Sequence, residues 1–93
     1  MFSVENNNNS YRVNFVHTTT FATRHHPARR MTVCEVFVND PEVPKFIGTA
    51  VCHDGDNYVR STGRKLSLTD AIKDFDRELR TEFWNKYFEL SKP

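Results

Sequence analysis

Histidine and cysteine are the residues of this chain best suited to metal or nucleophilic chemistry. The candidate ligands are His25, His26, Cys34, Cys52 and His53. Their spacing matches neither C-x-x-C nor two histidines three to five residues apart, and adjacent histidines do not easily bind one ion together. A free cysteine within a strand behaves as a small apolar side chain. We therefore expect no metal, no cofactor, two buried thiols and solvent-exposed loop histidines.

The acidic residues offer two further kinds of site. The segment from His53 to Asn57 resembles the opening of a calcium loop, but Tyr58 and Lys65 stand where an EF-hand needs oxygen ligands. Near the C-terminus, carboxylates alternate with Lys and Arg at helical spacing, which is typical of a solvated helix face. A small enzyme would need a cleft containing His53, Asp54 and Asp56. The sequence favours a protein that is not an enzyme.

The basic residues form two clusters that are candidates for binding a partner or an anion. The first lies in a loop and the second lies where a helix is expected to begin, and free N–H groups at a helix start favour anions. Two strand passages separate the clusters, so a simple meander places both at the same end of the sheet. The members are Arg24, His25, His26, Arg29 and Arg30 in the first cluster and Arg60, Arg64 and Lys65 in the second.

Length and composition limit what these residues can do. The chain has 93 residues, a net charge of +1 and 38% hydrophobic residues, including eight Phe, three Tyr and one Trp. A domain of this size has little room for a large internal cavity. The near-neutral charge gives no general attraction to nucleic acid, and no apolar run approaches the ~18 residues of a membrane span. With only two cysteines, a reducing cytoplasm is the expected location.

The pattern predicts an α+β domain over residues 11–93, preceded by a flexible arm over residues 1–10. The asparagine run in the arm favours turns, although Phe2 and Val4 can dock the arm as an added strand. Strands are predicted at about 11–21, 31–39 and 45–53, which gives an antiparallel sheet of three or four strands. If strand 11–21 is an edge strand, it can pair across a two-fold axis in a homodimer.

A hairpin centred on Val43 would pair Val38 with Gly48, Val36 with Ala50 and Cys34 with Cys52. This register makes a disulfide geometrically possible, but a reducing compartment would not preserve it. The third strand carries only small residues on this face, so the face has room for a helix to pack against it.

The spacing of the apolar residues changes after Gly63, from every second residue to every third or fourth residue. An apolar stripe then predicts an amphipathic helical segment from about residue 64 to residue 90. Ser67 with Asp70 resembles a capping box, although the helix can begin near Arg64, and Ser61-Thr62-Gly63 resembles a break. Asp74 and Asp76, which flank Phe75, resemble a second cap with a hydrophobic staple, which favours a kinked helix, or a second helix from about Asp76, over one straight helix. The stripe consists of Leu68, Ile72, Phe75, Leu79, Phe83, Tyr87 and Leu90.

The C-terminal half resembles a group of small, poorly characterised proteins of tailed bacteriophages. The resemblance rests on a Gly48–Cys52 strand, a Gly63-Arg64-Lys65 helix start, and a terminal R-x-x-x-W-x-x-Y helix through Arg80, Trp84 and Tyr87. It covers about half of the chain. It implies a phage accessory protein in the bacterial cytoplasm that acts by binding a host or defence protein without catalysis.

Two functions are therefore expected. The first is a non-enzymatic inhibitor or adaptor with an anti-defence role, such as an anti-CRISPR-like protein, that binds a bacterial protein complex. The alternative is a small nucleic-acid-binding module that uses the basic clusters at 24–30 and 60–65.

Overall fold

The structure, a computed structural model, describes residues 2–25, 27–39, 41–52 and 59–91. Four antiparallel strands form one sheet in the order β1-β2-β3-β4, and two helices follow them. This is the α+β arrangement that the sequence predicts, in its four-stranded, two-helix form. The elements are β1 (Phe2–Asn6), β2 (Asn9–Thr19), β3 (Arg30–Val38), β4 (Phe46–Val51), α1 (Arg60–Ala71) and α2 (Arg77–Ser91).

The N-terminal segment differs from the expected flexible arm. Residues 2–6 form β1, which pairs with the start of β2, and Phe2 and Val4 are buried. Asn7 and Asn8 both have positive φ angles, of 50° and 66°. A two-residue hairpin with left-handed central residues needs this conformation, and asparagine tolerates it. The asparagine run therefore joins two strands.

The register between β3 and β4 differs from the predicted one. Cys34 pairs with Gly48 and Val36 pairs with Phe46, so the hairpin is centred nearer residue 41 than Val43. At the end of β3, Asn39 donates its N–H to the Ser10 carbonyl and accepts from the Ser10 N–H through its side chain, so the last residue of the strand region stays attached to β2. The shift is an even number of residues, so each residue keeps its predicted face of the sheet.

The small-residue face is where α1 packs. Gly48 is buried beneath α1, and a Cβ at Gly48 would overlap the carbonyl oxygen of Ser67 and the backbone nitrogen of Ala71. The prediction that a helix packs on this small-residue face is confirmed for α1 only. The second helix, α2, packs against β1 instead.

The helix boundaries confirm one predicted cap and contradict the other. Asp76 accepts a hydrogen bond from the Leu79 N–H at 2.8 Å, so it is the N-cap of α2. Ser67 lies buried inside α1, and its hydroxyl donates to the Arg64 carbonyl. The helix α1 starts at Arg60, so Ser61-Thr62-Gly63 is helical and the predicted break is wrong.

Most of the predicted apolar stripe reaches the core. Leu68, Ile72, Phe83 and Tyr87 are buried, whereas Leu90 is exposed. The remaining two members, Phe75 and Leu79, pack at the edge of the core. The fully assembled core consists of Phe2, Val4, Tyr11, Val13, Cys34, Val36, Leu68, Ala71, Ile72, Phe83 and Tyr87.

Candidate anion-binding site

Residues from both predicted basic clusters meet at one end of the molecule. Arg30 is the first residue of β3 and Arg60 is the first residue of α1. They line one open cavity of about 270 Å³, together with His17, Thr18 and Thr19 of β2. None of these five lining residues is acidic. We call this region the basic end.

The meander explains why Arg30 and Arg60 meet. Thr19, the last residue of β2, pairs with Arg30, and Val51, the last residue of β4, pairs with Met31. The chain therefore leaves β4 at the end of the sheet where β3 began, and α1 starts there. The prediction that both clusters lie at the same end is confirmed for these two arginines.

His17 lies at the inner side of the basic end. Alternation along β2 places its side chain on the same face as the buried Val13 and the half-buried Phe15, and its Nδ1 lies 3.0 Å from the hydroxyl of Thr32. Burial lowers the pKa of His17, and the positive charges of Arg60 and Arg64 lower it further. The imidazole is therefore mostly neutral at pH 7.

The first turn of α1 adds to the positive potential. Its N-cap position is Val59, whose side chain has no oxygen to accept a hydrogen bond from the first turn, and that turn contains no acidic residue. The helix dipole and the guanidinium of Arg60 thus act in the same direction at the cavity. An anion in the cavity would be stabilised by both.

The other predicted site residues are placed differently. Arg24 and His25 are exposed in the loop between β2 and β3, and the N–H of Arg29 donates to the Thr20 hydroxyl at 2.9 Å. The ammonium of Lys65 lies 5.9 Å from the ring centroid of Phe88, on the side of α1 that faces α2. His26 lies outside the described residues.

Three lining residues were not predicted as site residues, namely His17, Thr18 and Thr19. The signal for His17 was present in the sequence, because period-two alternation places it on the apolar face of its strand. A polar side chain on that face needs a partner or a function. The two threonines carry no such signal, since threonine is common in strands.

The cysteines behave as apolar side chains. Burial raises the pKa of the Cys34 thiol to about 12, and the charge of Glu35 acts in the same direction, so this thiol is a poor nucleophile. Cys52 is half-buried, and Cys34 and Cys52 are not joined in a disulfide. The observed register pairs Cys34 with Gly48, so the predicted alignment that would allow a disulfide with Cys52 is wrong.

Within the described ranges, no group of three or more His, Cys, Asp or Glu side chains is placed to hold a metal ion. The cleft that an enzyme would need, with His53, Asp54 and Asp56, lies outside the described residues, as does the loop that resembles a calcium site.

The face of the sheet opposite the helices is aliphatic and polar. Val16, Ile47 and Val51 are exposed there. Its one aromatic side chain in the described residues, Phe37, is buried beneath the guanidinium of Arg12, which lies 4.2 Å from the ring centroid. This face therefore presents no exposed aromatic ring for stacking with bases.

The strand that the sequence places at an edge of the sheet is an edge strand only in its second half. β2 pairs with β3 from Tyr11 to Thr19 and with β1 from Asn9 to Val13, so its first half is internal. The prediction that this strand is an edge is wrong for that half. A homodimer itself stays a prediction.

Across the described part of the chain, no helix is long and apolar enough to cross a membrane. The sequence matches no family model, and neither a curated protein nor a solved structure matches it.

Proposed function

We propose that this protein is a non-enzymatic inhibitor or adaptor whose basic end binds a bacterial host or defence protein. The observation that carries the proposal is the convergence of Arg30 and Arg60 on one surface cavity. Cationic side chains gathered on a small rigid domain steer it to an acidic surface and select for that surface. The phage origin and the cytoplasmic location belong to the same proposal and rest on the resemblance of residues 48–87.

An exposed aromatic side chain supports a protein partner. Phe21 follows β2 two residues after Thr19, and it is 94% exposed. Arg24 and His25 are exposed in the same loop. Aromatic and arginine side chains together are the residues that most often dominate the binding energy of protein interfaces. We therefore expect the loop between β2 and β3 to contribute an apolar anchor beside the charges.

The test is affinity capture from a nuclease-treated bacterial lysate with three tagged proteins. These are the wild type, the double variant Arg30→Glu/Arg60→Glu, and the control Arg77→Glu. Arg77 is exposed, is the first residue of α2 and does not line the cavity. We expect the wild type and the control to retain a defined bacterial protein. The amount retained by the double variant should be lower by at least about tenfold.

Thermal unfolding of the three proteins separates a binding defect from a folding defect. Retention of the same partner by a folded double variant would contradict the role of the basic end. Recovery of nothing but nucleic acid from an untreated lysate would contradict the protein-binding function itself.

A nucleic-acid-binding module is the second candidate, because Arg30, Arg60 and the threonine hydroxyls are the groups that contact phosphates. The lack of an exposed aromatic on the uncovered sheet face disfavours single-strand binding by stacking. Fluorescence anisotropy with labelled duplex and single-stranded oligonucleotides tests this candidate. Binding at sub-micromolar protein that weakens steeply with salt would support it, and the absence of binding at low salt would exclude it.

A further inference from the structure

We propose that the cavity at the basic end is a binding site for a phosphate dianion, either free or as the terminal group of a phosphate monoester. The site uses the same Arg30 and Arg60 on which the proposed function rests, but it is tested with a small anion alone, so its failure and the failure of the protein-binding function can be told apart. The cavity is lined by the side chains or backbone of His17, Thr18, Thr19, Arg30 and Arg60, which come from three separate elements.

The arrangement of donors favours a tetrahedral anion over a carboxylate. One guanidinium already satisfies both oxygens of a planar carboxylate through two parallel hydrogen bonds. Here Arg30 and Arg60 line the same cavity from different elements, and Thr19 lies on the same face of the sheet as Arg30, with which it pairs. An anion with three or more free oxygens uses such donors on several sides at once. A phosphodiester, with two free oxygens and one charge, uses fewer of them.

The size of the cavity agrees with a small ligand group. Its volume of about 270 Å³ lies just below the ~300–1,000 Å³ that is usual for sites of drug-sized ligands. A phosphate group with a short substituent fits this volume. The cavity is open to solvent, so the remainder of a monoester can extend outward.

His17 provides a reporter inside the site. The charged groups around it are Arg60 and Arg64 on α1 and Arg30 on β3, which lines the same cavity, and its Nδ1 contacts Thr32. Burial, and then the charges of Arg60 and Arg64, hold the pKa of His17 below its usual value. A bound dianion offsets their charge, so the pKa of His17 rises when phosphate binds.

The experiment follows the imidazole and backbone NMR signals of the full chain during titration with inorganic phosphate. Separate arms use O-phosphoserine, a single-stranded oligonucleotide without a terminal phosphate, and sodium chloride at matched ionic strength. A His17→Gln variant assigns the imidazole signal among the four histidines. We expect saturable shifts at His17, Thr18 and Thr19 with the first two ligands, and an upward shift of the His17 titration midpoint.

Three variants complete the test. Arg60→Gln and Arg30→Gln should each lower phosphate affinity about tenfold or more, because each removes a charged hydrogen-bond donor. Arg77→Gln is the matched control and should leave the affinity unchanged. The spectra themselves show whether each variant is folded. Arg30 and Arg60 belong to different elements, so if one variant fails to fold, the other still tests the proposal.

Several outcomes would overturn the proposal. Shifts that do not saturate, or that sodium chloride reproduces, would show general screening of charge. Tighter binding of the oligonucleotide than of phosphate would assign the cavity to a phosphodiester backbone.

Two outcomes would support the proposal and identify the ligand. Tighter binding of O-phosphoserine than of inorganic phosphate would identify the monoester as the ligand, and the reverse would identify the free ion.

Discussion

The two helices contact the sheet in opposite ways. At α1 the contact is made by small residues and backbone: Gly48 lies beneath Ser67 and Ala71, so helix and strand approach as closely as main chains allow. At α2 the contact is made by rings. Phe83 lies within 5.4–6.4 Å, centroid to centroid, of the rings of Phe2, Tyr11 and Phe75.

The two contacts contribute to the fold in different ways, because one buries apolar side chains and the other fixes the position of a helix. Large aromatic side chains supply most of the apolar burial in a chain with few apolar residues. The small-residue contact fixes the position of α1 tightly, because backbone atoms in contact cannot rotate away as side chains can. Since α1 begins at Arg60, this contact also positions the basic end. The aromatic contact should thus tolerate truncation badly, and the small-residue contact should tolerate enlargement badly.

The largest expected effect is at the aromatic contact. Phe83→Ala removes a fully buried ring and should lower the free energy of unfolding by about 3–5 kcal/mol. Phe88→Ala is the matched control, because Phe88 is 47% exposed and stacks on Trp84 at the surface. We expect Phe88→Ala to lower the free energy of unfolding much less than Phe83→Ala does. Urea unfolding of both variants measures the difference, and equal losses would contradict the assignment of Phe83 to the core.

An intermediate effect is expected at the small-residue contact. Gly48→Ala places a methyl group against backbone atoms of α1, including the Ala71 Cα at 2.9 Å, and should cost about 1–3 kcal/mol. Displacement of α1 should also move the NMR signals of His17. The control Ile47→Val changes the neighbouring residue, which is 57% exposed, on the opposite face. A Gly48→Ala variant as stable as the control would mean that α1 lies farther from the sheet.

The smallest effect concerns the hydrogen bond that ties α1 to β4. Asp70 accepts from the Thr49 N–H at 3.0 Å, and this bond, followed by that from Lys73, lowers the pKa of Asp70 below its ordinary value. The bond therefore stabilises the fold above the pKa of the unfolded chain, and the stabilisation is lost as pH falls through the lower folded pKa. The carboxylate is 40% exposed, so the contribution should stay below about 1 kcal/mol.

Unfolding measured from pH 7 to pH 2 checks this last prediction. Asp70→Asn should lose stability at pH 7 and show a shallower acid dependence than the wild type. Asp74→Asn, at an exposed position, is the control. Parallel acid profiles for wild type and Asp70→Asn would contradict it.

Local patterns predict much of this fold. The alternation in β2, the β-branched and aromatic run in β3 and the stripe from Leu68 to Tyr87 follow directly from the sequence. The two aspartates at 74 and 76 indicate a second helix from about Asp76, and α2 begins at Arg77. Two elements were misjudged because their residues also favour other states. The asparagines at 7 and 8 favour any turn, and only pairing across the hairpin shows that Phe2 and Val4 belong to a strand. Gly63 resembles a break, but it is buried within α1.

The candidate site was predicted in part. Counting strand passages placed Arg30 and Arg60 at one end without knowledge of the register. Alternation marks His17 as a polar residue on the apolar face of β2, but its approach to Arg60 and Arg64 depends on how α1 lies over the sheet. That approach depends on Gly48, which is far from the basic clusters in sequence.

The bond between Asp70 and Thr49 has a consequence for solubility. β4 is an edge strand, and the Cys52 N–H bonds to Arg30 of β3, so the Thr49 N–H points away from the sheet. An outward amide on an edge strand is a point where a second chain can add by β-pairing. The carboxylate of Asp70 on α1 occupies this amide. Loss of Asp70 would leave the amide open to β-pairing with a second chain, so the variant should aggregate more readily while it is still folded.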